Sequence, residues 1–273
     1  MSNNKRMYNV VKHGTVAVAG LGGAKINFQR QLANLNKQGT ALLQPTVIGE
    51  CGIPFDINNK EILQGTLKNH CNFLDAILSG MESNFMHFTL WNYNVLNSTK
   101  HGDHWNGEDF SIFNATATVN NGNTHYAGGR VLEAVIRPYA TRIAGEPVRQ
   151  WFDRQKRLEY GLEFKNEGGN FKEWLTASRQ SLGNILHAAS TELEETAAFQ
   201  LNQTTMVYLP DYHYAGKQVN ITVSDGRWTY DVKCQHVVWE YSNKTAGYKH
   251  WMMVNVRQEE DVQRGKAWHC GCC

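Results

Sequence analysis

The sequence predicts an α/β segment followed by an all-β domain, with a boundary near Pro147. Two observations lead to this prediction. Between residues 26 and 91, apolar residues recur alternately at helical and extended spacing, which is typical of parallel strands joined by crossover helices. After Pro147, short β-rich segments are separated by turn residues, which is typical of an antiparallel sandwich. With 273 residues, 41% of them hydrophobic, the chain is long enough for two cores.

Four elements support the α/β assignment. Helical spacing predicts helices over residues 26–37 and 59–82, and short extended runs predict strands over 42–49 and 86–91. The glycine-rich residues 14–24 lack the spacing of a phosphate-binding or dinucleotide-binding loop, so we interpret them as a turn.

After the second strand, residues 92–123 are predicted as a long polar loop and residues 130–139 as a helix. Parallel strands carry ligand-binding residues at their carboxyl ends. The residues that follow the two predicted strands are therefore the first candidates for a functional site.

The all-β assignment rests on six predicted strands, over residues 158–164, 205–209, 218–223, 228–232, 237–241 and 249–256. Residues 165–203 interrupt this pattern and are predicted as a helical or irregular insertion. We therefore assign residues 1–146 to the α/β segment, 147–265 to the sandwich and 266–273 to a cysteine-rich tail.

Composition excludes several classes of protein. The net charge of +2 comes from acidic and basic residues spread along the chain, which argues against a nucleic-acid partner. The apolar runs are far shorter than the roughly 20 residues that span a bilayer, and the start MSNNKRMYN lacks the apolar core of a signal peptide. These features favour a cytoplasmic or membrane-associated protein, and the compartment stays open.

Glu50 is the strongest candidate site residue. It ends an apolar strand-like run and lies close to two glycines, Gly49 and Gly52, which let the backbone bend and let another group approach. The alternative is structural: Glu50 caps the following helix or pairs with a nearby arginine.

Trp91 ends the next strand and is followed by Asn92 and Asn94. A flat indole beside amide groups suits a sugar ring, although a buried tryptophan is the common alternative. The loop GDHWNGED, residues 102–109, is rich in polar and aromatic groups and suits substrate binding, a cation or a tight turn.

No cofactor or metal site is predicted. Asp103, Glu108 and Asp109 lack a calcium-binding spacing, and the scattered histidines form no zinc-binding pair. A Gly-x-Ser-x-Gly motif is absent from the sequence, which argues against a serine hydrolase.

Six strings in the sequence resemble glycoside hydrolase family 5, within it the endoglycoceramidase and fungal steryl-β-glucosidase or glucosylceramidase group. They are VIGECGIPFD, FTLWNYN, GDHWNGEDFSIF, RVLEAVIRPYATRIAGEP, VYLPDYHY and VSDGRWTYD. The resemblance covers about residues 27–241. It implies the C-terminal part of a (β/α)₈ TIM barrel, with its seventh and eighth strands, followed by an antiparallel β-sandwich.

The resemblance also implies roles for individual residues. Glu50 matches the catalytic nucleophile of the family, and Trp91 matches its sugar-stacking tryptophan. The expected function is hydrolysis, with retention, of the glucosidic bond of a glycolipid such as glucosylceramide or a steryl glucoside. The expected substrate-binding residues are Trp91, Asn92, Asn94, Asp103, Trp105 and Glu108.

The sequence departs from the family pattern in one respect. The general acid/base of the family is the glutamate of an Asn-Glu pair that precedes the nucleophile by well over a hundred residues, whereas Glu50 has 49 residues before it. The one such pair here, Asn166-Glu167, lies in the predicted sandwich. The alternatives are a fragment of a longer enzyme, a split enzyme completed by an N-terminal barrel fragment, or a non-catalytic remnant that binds glycolipid or protein.

The tail ends in Cys270, Cys272 and Cys273. Thiols at an exposed C-terminus can carry lipid chains, which would bring the chain into contact with a membrane surface. The alternatives are metal binding together with His269, and a tail whose thiols have no function.

Overall fold

The computed structural model describes residues 11–13, 16–18, 20–42, 44–57, 67–117, 124–166 and 204–257. The chain divides into two compact units, Met1–Val135 and Ile136–Cys273. This division comes earlier than the predicted boundary after residue 146. Residues 167–203 of the predicted insertion and the tail at 266–273 lie outside the described residues.

The first unit contains strands β1 (Val11–His13), β2 (Val16–Val18), β3 (Val47–Cys51) and β4 (His87–Leu90), helices α1 (Gly20–Ala41), α2 (Lys68–Ser83) and α3 (Leu132–Val135), and a 3₁₀ turn at Thr124–Tyr126. β1 and β2 form an antiparallel pair. The interpretation of residues 14–24 as a turn is wrong, because β2 occupies Val16–Val18 and the glycines from Gly20 onward form the start of α1.

β3 and β4 pair in parallel, as the alternation of helices and strands predicts. β3 begins later than predicted, after Pro45, whose nitrogen cannot donate to a strand ladder. Within the described residues this sheet has only these two strands and does not close into a barrel.

One face of this sheet packs on the helices. Ile48, Cys51 and Phe88 contact the apolar side chains of Leu32 in α1 and Met81 in α2. A second cluster joins α2 to the residues after β3 and to α3; it consists of Ile53, Phe55, Cys71, Leu74, Leu78, Val131 and Ala134. The two clusters hold the carboxyl ends of both strands in place, because they include residues on each side of those ends.

The second unit contains eight strands, β5 (Tyr139–Arg142), β6 (Glu146–Asp153), β7 (Glu159–Lys165), β8 (Thr204–Tyr208), β9 (Val219–Val223), β10 (Arg227–Asp231), β11 (His236–Glu240) and β12 (Lys249–Val256), and the short helix α4 (Asp211–Tyr214). The strands form two antiparallel sheets of order β10-β11-β8-β5 and β6-β7-β12-β9. Phe164 of one sheet meets Trp239 of the other edge to face, with ring centroids 5.3 Å apart.

The six predicted strands of the sandwich are present within one or two residues, and β5 and β6 are additional. The predicted helix over residues 130–139 is reduced to α3, because Pro138 disfavours helical backbone before it and cannot donate a helical hydrogen bond. β5 follows directly and pairs with β8, so it belongs to the second unit. None of the described helices combines the length and apolar character that crossing a bilayer requires.

The buried His213 in α4 makes the second unit sensitive to acid. Burial above all, and to a smaller extent the charges of Lys217, Arg137 and Arg154, lower the pKa of His213 to about 4, although the hydrogen bond with Ile136 O at 2.7 Å acts to raise it. The folded domain therefore keeps this imidazole neutral, whereas an unfolded chain protonates it below about pH 6.5. The free energy of unfolding therefore carries no penalty from His213 above pH 6.5, and it decreases as the pH falls from 6.5 toward 4.

We expect this titration to cost about 2 kcal/mol of unfolding free energy between pH 7 and pH 4.5. Urea unfolding of the wild type and of His213→Gln, whose amide keeps a donor but does not titrate, measures the difference. An identical acid dependence in the two proteins would contradict the prediction.

Candidate functional site

The carboxyl ends of β3 and β4 lie side by side. The Trp91 amide donates to Cys51 O at 2.8 Å, and Thr89 Oγ1 donates to Gly49 O. Residues 50 and 91 therefore occupy the same edge of the sheet, which is where the parallel pairing predicts a site.

Glu50 lies in a bulge that the sequence pattern does not reveal. Ile48 is opposite Phe88 but Cys51 is opposite Leu90, so β3 contains one residue more than β4 across this interval. Bulges redirect side chains and are common next to active sites. Glu50 is exposed, and among the described residues its carboxylate has no hydrogen-bond or ion-pair partner. Within the residues that the structure describes, Glu50 therefore neither caps a helix nor pairs with an arginine, which were the two structural alternatives.

The thiol beside Glu50 does not compete with it as a nucleophile. Burial raises the pKa of Cys51 to about 11, so the thiol stays protonated at neutral pH. Cys51 instead packs among the apolar side chains under the sheet. The Glu50 carboxylate, and not this thiol, is therefore the candidate nucleophile at the end of β3.

Gly52 allows Trp91 to approach β3 closely. A Cβ atom on Gly52 would lie 1.9 Å from the main-chain oxygen of Trp91, and the peptide bond from Trp91 to Asn92 is cis. By contrast, a Cβ atom on Gly49 would meet nothing within 4 Å. Of the two glycines near Glu50, Gly52 provides the close approach that the sequence pattern predicts.

We expect Gly52→Ala to destabilise the first unit by about 2–3 kcal/mol, because the methyl group collides with main-chain atoms that cannot move independently. Gly49→Ala is the matched control and should change stability by less than about 0.5 kcal/mol. Urea unfolding followed by tryptophan fluorescence tests both variants. Equal stabilities would show that Trp91 is not held against Gly52.

The buried carboxylate of Asp103 organises the loop after β4. Asp103 is 3% exposed, and both of its side-chain oxygens accept hydrogen bonds from this loop. Oδ1 accepts from Asn97 Nδ2 at 2.6 Å and from the Ser111 amide at 3.2 Å. Oδ2 accepts from Asn92 Nδ2 at 3.1 Å and from the Phe110 amide at 2.8 Å. A carboxylate removed from water requires such donors, so the loop folds around Asp103.

The structure thus brings three predicted substrate-binding residues together. Asn92 donates to the Asp103 side chain, and Asn94 Nδ2 donates to the Asp103 main-chain oxygen at 2.6 Å. These contacts fix the path of the chain immediately after Trp91. Contact of Asn92, Asn94 or Asp103 with a ligand stays a prediction.

Asn97, Asp109 and Arg130 extend this network, and the sequence pattern does not mark Asn97 or Arg130 as site residues. Asp109 Oδ1 accepts from Asn97 Nδ2 at 2.9 Å and from Arg130 Nη2 at 2.7 Å. The Arg130 guanidinium lies 3.7 Å from the centre of the Phe55 ring. The cluster of acidic residues in 103–109 is the signal in the sequence that could have indicated this network. Carboxylates that become buried need hydrogen-bond donors from elsewhere in the chain.

The tip of the loop displays Trp105, which is 60% exposed. The backbone turns tightly there, with φ of +60° at Gly102 and +69° at Gly107. The Glu108 amide donates to Trp105 O at 2.9 Å, and the Asp103 amide donates to Glu108 O at 2.8 Å. Trp91 and the Glu108 side chain are partly buried. The roles of Trp91, Trp105 and Glu108 in binding stay predictions.

The site thus combines an exposed carboxylate, an indole at the neighbouring strand end and a loop held by buried carboxylates. Among the described residues, no three His, Cys, Asp or Glu side chains are grouped to hold a metal ion. Such an arrangement can place a carboxylate, acting either as a nucleophile or as a negative charge that stabilises a cationic group, next to an aromatic surface.

Comparison with known proteins connects both units to one group of enzymes. Residues 137–254 match the family model of the glycoside hydrolase family 5 C-terminal domain. A glucosylceramidase of Rhizopus delemar is 34% identical over 234 residues, which are 80% of this chain and 30% of that protein. An ergosteryl-beta-glucosidase of Saccharomyces cerevisiae is 22% identical over 266 residues, 77% of this chain and 31% of that protein.

Among solved structures, Cryptococcus neoformans sterylglucosidase 1 shares the fold with a TM-score of 0.68 at 23% identity. The match covers 88% of this chain and 33% of that protein. The chain therefore spans about a third of the length of the relatives it matches.

Proposed function

We propose that this chain, which corresponds to the C-terminal portion of glycoside hydrolase family 5 glucosylceramidases and sterylglucosidases, contributes the nucleophile and a sugar-binding surface to a retaining β-glycosidase. The observation that carries the proposal is the position of Glu50. It is an exposed carboxylate without a partner among the described residues, at the end of a parallel strand and beside the strand that ends at Trp91.

In this mechanism one oxygen of Glu50 attacks the anomeric carbon of the sugar while the bond from that carbon to the leaving oxygen breaks. A second carboxylic acid, about 5 Å away in retaining enzymes, donates its proton to the leaving oxygen. Water then attacks the glycosyl ester, and the second group, now a base, accepts the proton of that water. This chain covers about a third of the length of its relatives. We assign the second carboxylic acid to barrel strands in the part that it does not cover.

Trp91 would support the apolar face of the sugar ring, because an indole offers a flat surface to the ring C–H groups. The Asp103 network would keep this surface in register with Glu50 by fixing the residues after Trp91. Binding energy would thereby be used to orient the anomeric carbon toward the carboxylate.

The proposed substrates are glycolipids with a single β-linked glucose. The names of the relatives, glucosylceramidase and ergosteryl-beta-glucosidase, motivate this choice. Glucosylceramide and a steryl glucoside are therefore the two substrates to compare.

An NMR assay of hydrolysis tests the reaction class. The chain is assayed alone and after co-expression with the part of the Rhizopus delemar glucosylceramidase that it does not cover. Initial release of β-glucose supports the retaining mechanism, whereas initial release of α-glucose would show inversion and remove the role of Glu50 as nucleophile.

A second candidate function is non-catalytic binding of glycolipid. It is favoured by the exposed apolar side chains in the loop after β4, where Tyr93, Leu96 and Trp105 are 60–69% exposed. Binding to glucosylceramide vesicles without turnover in either sample of the NMR assay would favour this function over catalysis.

A further inference from the structure

The loop after β4 reverses the usual distribution of polar and apolar side chains. Its polar residues Asn97 and Asp103 are 0% and 3% exposed. Four of its apolar side chains are 60–69% exposed, namely those of Tyr93, Val95, Leu96 and Trp105. Only six large apolar side chains among the described residues are at least 60% exposed, so this one loop carries most of them. Single exposed apolar residues are common, but a group of them marks a surface that another molecule covers.

The buried polar residues hold the two parts of this loop side by side. Asn94 Nδ2 donates to Asp103 O at 2.6 Å, and Asn97 Nδ2 donates to Asp103 Oδ1 at 2.6 Å. Ser98 and Gly102 exchange main-chain hydrogen bonds at 3.1 and 2.8 Å. The part that carries Tyr93, Val95 and Leu96 therefore lies alongside the part that leads to Trp105. Because polar groups fill the inner side of the loop, the four apolar side chains remain on its outer side.

The outer side of the loop carries almost no charge. Between residues 92 and 107, Lys100 is the one exposed residue of the Asp, Glu, Lys and Arg types, because Asp103 is buried. A charged group is costly to move out of water, but a lysine can keep its ammonium group in water while its stem contacts apolar groups. Tyrosine and tryptophan are enriched where a bilayer meets water, because each ring has an apolar body and a polar tip. This composition suits the surface of an uncharged bilayer.

We propose that residues 93–105 form a docking surface for a lipid bilayer, into whose boundary Tyr93, Leu96 and Trp105 insert. The inference rests on the proposed function, because the proposed glycolipid substrates reside in bilayers and the loop begins directly after Trp91. A glucose supported by Trp91 would keep its lipid chains in the membrane. Docking through the adjacent loop would therefore bring Glu50 to the sugar without transfer of the lipid into water.

Flotation of the full chain with vesicles of phosphatidylcholine, without glycolipid, tests this surface. We expect the wild type to bind, and the double variant Leu96→Gln with Trp105→Gln to bind at least about 10-fold more weakly, because two apolar side chains no longer enter the bilayer. Leu42→Gln is the matched control, since Leu42 is 72% exposed but lies outside the loop. Its binding should stay within about twofold of the wild type. Equal binding of the wild type and the double variant, or no binding of the wild type, would overturn the proposal.

Fluorescence quenching determines whether the loop enters the bilayer. Phosphatidylcholine with brominated acyl chains quenches a tryptophan that reaches those chains. Trp105→Phe keeps an apolar ring, so this variant should still bind the vesicles but should be quenched less than the wild type. Equal quenching of the two proteins would show that Trp105 stays in water, and the proposal would be wrong.

The same vesicles separate this proposal from the proposed function. They contain no glucosidic bond, so binding can be measured whether or not the NMR assay detects hydrolysis. Binding that requires glucosylceramide would assign the loop to sugar recognition and overturn membrane docking.

Two further outcomes would assign the surface to protein and would also contradict membrane docking. One is a dimer of the chain that the double variant dissociates. The other is the loss of vesicle binding after co-expression with the part of the Rhizopus delemar glucosylceramidase that the chain does not cover.

Discussion

Replacement of Glu50 by glutamine is expected to reduce hydrolysis of glucosylceramide and steryl glucoside by at least about 1,000-fold in the assembled enzyme. The amide has nearly the shape of the carboxylate but cannot form the glycosyl ester. Because the Glu50 side chain is exposed and has no partner among the described residues, the fold should be unaffected. Initial rates on both substrates and the melting temperature of each protein provide the measurement.

Glu108→Gln is the matched control for this prediction. It makes the same chemical change in a loop residue that is predicted to bind substrate but not to react. We expect its rate to remain within about 10-fold of the wild type. If Glu50→Gln keeps more than a tenth of the wild-type rate, or if the two variants lose equal activity, Glu50 is not the nucleophile.

Asp103→Asn is expected to destabilise the first unit by about 3 kcal/mol. Four donors converge on the two Asp103 oxygens, so an amide nitrogen in either position would face other N–H groups. The loss of charge also weakens each hydrogen bond that remains. Urea unfolding followed by tryptophan fluorescence measures the change.

Asp56→Asn is the control for this second prediction, because Asp56 is exposed and its side chain makes no hydrogen bond or ion pair with any residue that the structure describes. Its unfolding free energy should stay within about 0.5 kcal/mol of the wild type. A loss below about 1 kcal/mol for Asp103→Asn would show that the loop does not depend on its buried carboxylate.

Much of the fold follows from local pattern. The 3.6-residue and two-residue apolar repeats predict the main helices, the parallel pair β3 and β4, and six strands of the sandwich, because each repeat reports which face of a single element is buried. The same reasoning misses β6, because it predicts a domain boundary near Pro147, which lies inside this strand. Pro147 is tolerated there because β6 lies at the edge of its sheet.

The positions of Glu50 and Trp91 at adjacent strand ends follow from the sequence, since parallel strands with crossover connections present their carboxyl ends at one edge. The surroundings of these two side chains do not follow from the sequence. The bulge at Glu50 depends on the register between β3 and β4, and the close approach of Trp91 to Gly52 depends on the packing of two segments far apart in the chain.

The sequence by itself therefore determined the broad fold class, an α/β segment followed by two antiparallel sheets, together with the order of most elements and the two strand ends that carry Glu50 and Trp91. Only the tertiary structure decided which polar groups meet, namely Asn97 and Arg130 with Asp109 in the first unit and His250 with Asp225 and Asn166 in the second. The physical reason is that apolar burial repeats along one element, whereas a buried hydrogen bond depends on the positions of two separate elements.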